Sequence, residues 1–118
     1  MVSRFAAGST ALMSRAARAL WLGEANAATD HQLQEARERG HTNIRADMRD
    51  LAGALAERGT LAPGLNVDQA AAILFATCAN ETIFLRLIDE CGWTPSQYAE
   101  LIEKLVTRLV VAPAPLAT

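Results

Sequence analysis

The stretch Asn66–Val111, NVDQAAAILFATCANETIFLRLIDECGWTPSQYAELIEKLVTRLVV, decides the fold of this chain. It reads as two consecutive helices. Asn66 stands where an N-cap belongs and Gln69 follows at the reciprocal position, the two halves of a capping box. Apolar residues run from Ala70 through Phe75, and the helix is expected over about 67–91, up to Gly92, the residue type that most often follows a helix C-terminus. A second box opens at Thr94 with Gln97, and Pro95 fills the first helical position, where a missing N–H does no harm. Tyr98, Leu101, Ile102, Leu105 and Leu109 recur at helical spacing, with Val106 and Val110 widening the stripe. The last helix is therefore expected over about 95–111. Only Gly92-Trp93-Thr94 separates the two, so they form a helical hairpin. Its apolar surface exceeds what the short remainder of the chain can cover, and the surplus is expected to meet a second copy.

Upstream, a first helix is expected over about 3–22, with Phe5, Ser9, Leu12, Ala16 and Leu20 on one stripe and Met13, Ala17 and Trp21 beside it. Gly23 is read as its end. Arg4, Arg15 and Arg18, with no acid before Gly23, also fit the composition of an organelle transit peptide, but the periodicity favours an ordinary amphipathic helix. A second helix is expected over about 29–58, opened by a Thr29–Gln32 box and stopped by Gly59. Leu33, Ala36, Gly40, Ile44, Met48, Leu51 and Leu55 give it one narrow apolar face; the rest is charged and reads as solvated. Gly40 marks a bend, a break or the close approach of another backbone. Pro63-Gly64 signals a turn, and 112–118, with Pro113 and Pro115, reads as a disordered tail. Nothing alternates with period two. The expected architecture is all-α, four main helices in one domain spanning 1–118.

The bulk numbers agree. A chain of 118 residues makes one modest core, and a net charge of −2 argues against a general phosphate-binding surface. Cys78 and Cys91, if on one helix, stand ~20 Å apart, beyond the ~7 Å that a disulfide spans. A reducing cytoplasm is the expected compartment. No apolar run approaches the ~20 residues of a transmembrane helix.

Little points to chemistry. His31 and His41 lie on the charged second helix without an acidic partner at ligand spacing, and read as exposed polar residues. Cys78 reads as a small buried thiol. Glu81 interrupts an apolar helix, where a carboxylate is costly to bury unpaired. It reaches solvent, pairs with an arginine of the first two helices, or faces a polar pocket. No catalytic residue, metal ligand set or cofactor is expected.

From about Arg45 onward the chain resembles the C-terminal half of a TetR-family transcriptional regulator. The resemblance is carried by Arg45-Ala46-Asp47-Met48-Arg49, Leu55-Ala56-Glu57-Arg58-Gly59, Leu61-Ala62-Pro63-Gly64-Leu65, Asp68 to Ala76, Phe84-Leu85-Arg86-Leu87 and, most sharply, Gly92-Trp93-Thr94-Pro95-Ser96-Gln97-Tyr98. It implies an effector-binding domain that homodimerises through its last two helices as a four-helix bundle. It also implies a pocket for a small, mostly apolar effector, and control of a DNA-binding helix-turn-helix that this chain does not contain. On that reading Leu12, Ala16 and Leu20 form one pocket wall, facing Met48, Leu51 and Leu55 and then Phe75, Cys78, Glu81 and Thr82. The dimer contacts are Ile73, Thr77, Ile83 and Leu87, joined by Tyr98, Leu101, Ile102, Leu105 and Leu109. The competing expectation is a helical dimerisation or interaction module without a ligand site.

Overall fold

The computed structural model describes residues 1–113. Its helices are α1 (Val2–Ala25), α2 (His31–Glu57), α3 (Val67–Cys78), α4 (Glu81–Leu85) and α5 (Pro95–Leu109). One π-helical turn, Arg86–Glu90, continues α4 without a break. The protein is all-α, and α3, α4 and the π turn together occupy the place of the third expected helix. Among the described residues the only β pairing is an isolated antiparallel bridge between Leu61 and Val111.

Two of the three helix starts read from capping boxes form as expected. Asn66 with Gln69, and Thr94 with Gln97, exchange both bonds of their boxes. The third start differs. Asp30, not Thr29, caps α2, its carboxylate accepting from the N–H groups of Gln32 and Leu33 at 3.0 and 3.1 Å. An aspartate is the stronger N-cap of the two.

The first helix does not stop at Gly23 but runs on to Ala25. Gly23 is needed for packing instead. A Cβ at this position would lie 2.6 Å from the Leu33 carbonyl oxygen and 2.7 Å from the Arg37 Cβ. One at Gly40 would lie 2.8 Å from Leu20 Cδ2, so this glycine marks the approach of a side chain rather than of a backbone. The buried face of α1 is Ala6, Ser9, Thr10, Met13, Ala17, Leu20 and Gly23, about one residue round from the expected stripe. Phe5, Leu12 and Ala16 sit at its edge, and Trp21 is 45% exposed. The rotation follows from the neighbours of α1, which are α2 on one side and α4 and α5 on the other.

The main departure is the third helix. It breaks at Ala79, whose φ of −133° and ψ of 41° leave the helical region. Asn80 then caps a new start, its Oδ1 accepting from the N–H groups of Thr82 and Ile83 at 3.0 and 3.2 Å. Part of the carbonyl capacity lost at the break is recovered from outside. The Cys78 oxygen accepts from Ser9 Oγ of α1 at 3.0 Å and from Tyr98 OH of α5 at 3.5 Å. Taken as one, Val67–Glu90 is long and apolar enough by composition to cross a bilayer, contrary to the sequence reading. A third of that window is buried here, with Ala70, Ala71, Leu74, Cys78 and Phe84 joining the core.

Gly92, at φ +71°, turns the chain out of the π turn, and Trp93 N–H donates to the Leu87 carbonyl at 3.0 Å. After α5 the chain is held rather than free. Ala62 N–H donates to Val110 O, and Ala112 N–H to Thr60 O, both at 2.8 Å. The rest of the expected tail, 114–118, lies outside the described residues. The fold measures 58 × 30 × 19 Å. Its short axis is about two helix diameters.

The glycines give a direct check of this packing. Gly23→Ala is expected to cost about 2 kcal/mol by forcing α1 and α2 apart. Gly8→Ala, where a Cβ meets nothing within 4 Å, is expected to stabilise by about 0.5–1 kcal/mol. Urea unfolding of the two variants measures both.

Candidate functional site

The break in the third helix sets up the site. By restarting the helix at Asn80 it places Glu81 in the first turn of α4. Glu81 is only 4% exposed, and its carboxylate faces His41 of α2. Imidazole Nε2 lies 3.1 Å from Oε1 and 3.2 Å from Oε2, so an N–H on Nε2 donates to a carboxylate whose two oxygens share it. The His41 ring meets Phe75 of α3 edge-on, with centroids 5.3 Å apart, and the Arg45 guanidinium stands over the same phenyl ring at 4.7 Å. Of the three outcomes open to Glu81, pairing occurs, but with a histidine rather than an arginine. His41 is correspondingly half-buried rather than exposed, whereas His31 is exposed.

Around this pair lies a cleft of about 420 Å³, lined by Glu24, Arg37, His41, Phe75, Ala76, Ala79, Asn80, Glu81, Thr82 and Ile83. At its rim Arg37 Nη2 is 4.0 Å from Glu24 Oε2. The buried Nε of Arg37 has no hydrogen-bond partner among the described residues. Thr82 also lines a neighbouring cleft of about 390 Å³ with Arg18, Trp21, Leu85, Arg86, Asp89 and Glu90. There Arg18 Nη2 meets Asp89 Oδ1 at 2.8 Å, both side chains being largely in solvent.

The structure gathers only part of the expected pocket. Phe75, Glu81 and Thr82 line the cleft. Leu20, Met48, Leu51, Leu55 and Cys78 are instead buried in the common core, with Leu12 and Ala16 against its edge. These apolar side chains fill the space between the helices, as interiors packed to crystal density do. Among the expected dimer residues, Tyr98 and Ile102 are fully buried within the chain and belong to its own core. Ile73, Thr77, Leu87, Leu101 and Leu105 are half-buried, and Ile83 and Leu109 are 39% and 41% exposed.

His41 and Arg37 were missed by the sequence reading. One signal was present: His41 lies three residues before Ile44 and seven before Met48, on the buried face of α2. Among the described residues no three His, Cys, Asp or Glu side chains gather as a metal site requires. Burial pushes the Cys78 thiol up, with the Thr77 hydroxyl at 3.4 Å acting the other way. Burial and then the adjacent Cys78 push the Tyr98 phenol well above its ordinary range.

No protein-family model, no curated protein and no solved structure matches the chain.

Two outcomes follow from the site. His41→Ala strips Glu81 of its donor and is expected to cost about 2 kcal/mol. The His41→Ala/Glu81→Ala double variant should cost less than the sum of the singles, which a double-mutant cycle in urea detects. Cys78 and Tyr98 both titrate higher when folded, so the unfolded chain loses those protons first as pH rises. Stability is therefore retained below the unfolded thiol value of about 8.5 and declines above it. Urea midpoints at increasing alkaline pH measure the decline.

Proposed function

We propose that this chain is the dimerising, effector-responsive half of a TetR-type transcriptional regulator, acting on DNA through a helix-turn-helix carried elsewhere. The observation that supports it most is the seam on α5. Leu101, Leu105 and Leu109 repeat at i, i+4 and i+8 beside the core residues Tyr98, Ile102 and Val106, yet none of the three is buried. Ile83 and Leu87 add apolar surface on α4 and the π turn. A second copy is the occupant that the family resemblance supplies. The motif order from Arg45 to Tyr98 is what ties this helical hairpin to the family. In that reading an effector changes the packing of α2 against α4 and so the spacing of two DNA-reading heads across the dimer.

The second reading, a dimerising module without a small-molecule site, draws on the filled core. Leu20, Met48, Leu51 and Leu55 are all buried in the common core, where the resemblance places a pocket.

Sedimentation of the purified protein is expected to give a dimer. Leu109→Glu puts a charge into the seam at an exposed position and is expected to weaken association by about tenfold or more. Leu105→Glu should do the same, with circular dichroism confirming that helix content is kept. A monomer at high micromolar concentration, or an unchanged mass in both variants, would refute the dimer.

A further inference from the structure

We propose that the cleft between α2 and α4 binds an uncharged molecule with a carbonyl oxygen on an apolar body, the carbonyl accepting from Arg37 Nε–H; the inference rests on the effector-responsive reading above and gives that effector a chemical class. The polar groups of the cleft wall are matched within the chain or by solvent, with one buried exception. Glu81 accepts from His41 Nε2 through both oxygens, at 3.1 and 3.2 Å. Asn80 serves the backbone: its Oδ1 accepts from the N–H groups of Thr82 and Ile83, and its Nδ2 donates to the Ala76 carbonyl at 3.4 Å. Thr82 is exposed, so water serves its hydroxyl. Arg37 Nη2 stands 4.0 Å from Glu24 Oε2. Arg37 Nε is buried and has no hydrogen-bond partner among the described residues. A buried N–H without an acceptor is rare in folded proteins, and its loss of water is left uncompensated. The guanidinium lines an open cleft of about 420 Å³, so a ligand can bring the acceptor.

Charge narrows the ligand. Two carboxylates, Glu24 and Glu81, line the cleft against one guanidinium. An anion at Arg37 would also face both carboxylates. A cation would meet the guanidinium, and the Glu81 oxygens already hold their donor. A carbonyl oxygen brings lone pairs to the Nε–H without a charge of its own, and its bond to a guanidinium is still of the charge-assisted kind. Phe75, Ala76, Ala79 and Ile83 line the same cleft and offer an apolar wall for the rest of the molecule. Phe75 is held from two sides, edge-on by the His41 ring and across its face by the Arg45 guanidinium at 4.7 Å, so that wall is set before a ligand arrives. A ligand reaching from Arg37 to Ile83 touches α2, α3 and α4 at once, and α4 leads through the π turn toward Leu87 on the proposed dimer seam.

The test is titration of the full chain, followed by nitrogen–proton correlation NMR, with three probes of one skeleton: 4-phenylbutan-2-one, 3-phenylpropionate and 4-phenylbutan-2-amine. The ketone is expected to bind saturably, about tenfold or more tighter than the acid or the amine. It is also expected to move the Arg37 Nε–H resonance as it saturates. Arg37→Met keeps the stem and puts a methyl group where Nε stands, and is expected to weaken ketone binding by about tenfold. Should Arg37→Met lose its fold, Ala76→Trp serves in its place, because Ala76 is an exposed residue of the cleft wall and the indole occupies the space beside it. That variant is expected to weaken ketone binding by about tenfold at an unchanged melting temperature. No saturation by the ketone up to about 10 mM, acid or amine binding as tight as ketone binding, an Nε–H resonance that stays in place at saturation, or a ketone affinity unchanged by the substitution would each overturn the site. Sedimentation of the same samples separates the two proposals. A dimer that ignores the ketone overturns this site alone, and a monomer that binds it overturns the dimeric reading alone.

Discussion

The carbonyl of Cys78 is the point on which the fold depends. A helix that stops inside a core leaves acceptors without intrahelical partners, and each one buried unsatisfied costs on the order of 1–3 kcal/mol. Here Ser9 from α1 and Tyr98 from α5 supply the donors. The three helices are thereby tied at one atom. Tyr98 does a second thing at the same place, since its ring stacks edge-on against Phe84 of α4 at 4.9 Å. The break is thus enclosed by polar bonds on one side and aromatic packing on the other.

That interruption gives the surface its character. The restart at Asn80 interrupts the helical phase just before Glu81, which is buried against His41 while Thr82 and Ile83 are exposed. Asn80 is what makes this affordable, because its side chain replaces the backbone acceptors that the first N–H groups of α4 lack. The π turn that follows shifts the phase once more before Gly92 reverses the chain. Insertions of this kind recur where helices carry function.

The sequence made some of this legible and hid the rest for physical reasons. Both capping boxes around the hairpin are local, their partners three residues apart, and they form as read. The all-α class rested on that same short-range chemistry. The break did not announce itself, because its donors lie 69 and 20 residues from Cys78. Asn80 alone is ambiguous, an acceptable helix residue as well as a good cap. Gly23 misled in the opposite direction. Its type suggests a terminus, while its place against the Leu33 carbonyl is a matter of two helices in contact. The His41–Glu81 pair spans 40 residues, so no spacing rule reaches it. What could be read was that His41 shares a face with Ile44 and Met48; what could not was the residue waiting across the interface.

The short bridge between Leu61 and Val111 has a topological effect. Through the bonds Ala62–Val110 and Ala112–Thr60, the α2–α3 connection is fastened to the chain just after α5. Everything between, from α3 to α5, becomes a loop closed at its neck. A helix at the end of a chain ordinarily unravels from its tip inward. Here α5 cannot do so without also releasing the linker that introduces α3. Opening is therefore shared between distant segments, and the amide protons of Ala62 and Ala112 should exchange with solvent in a single step.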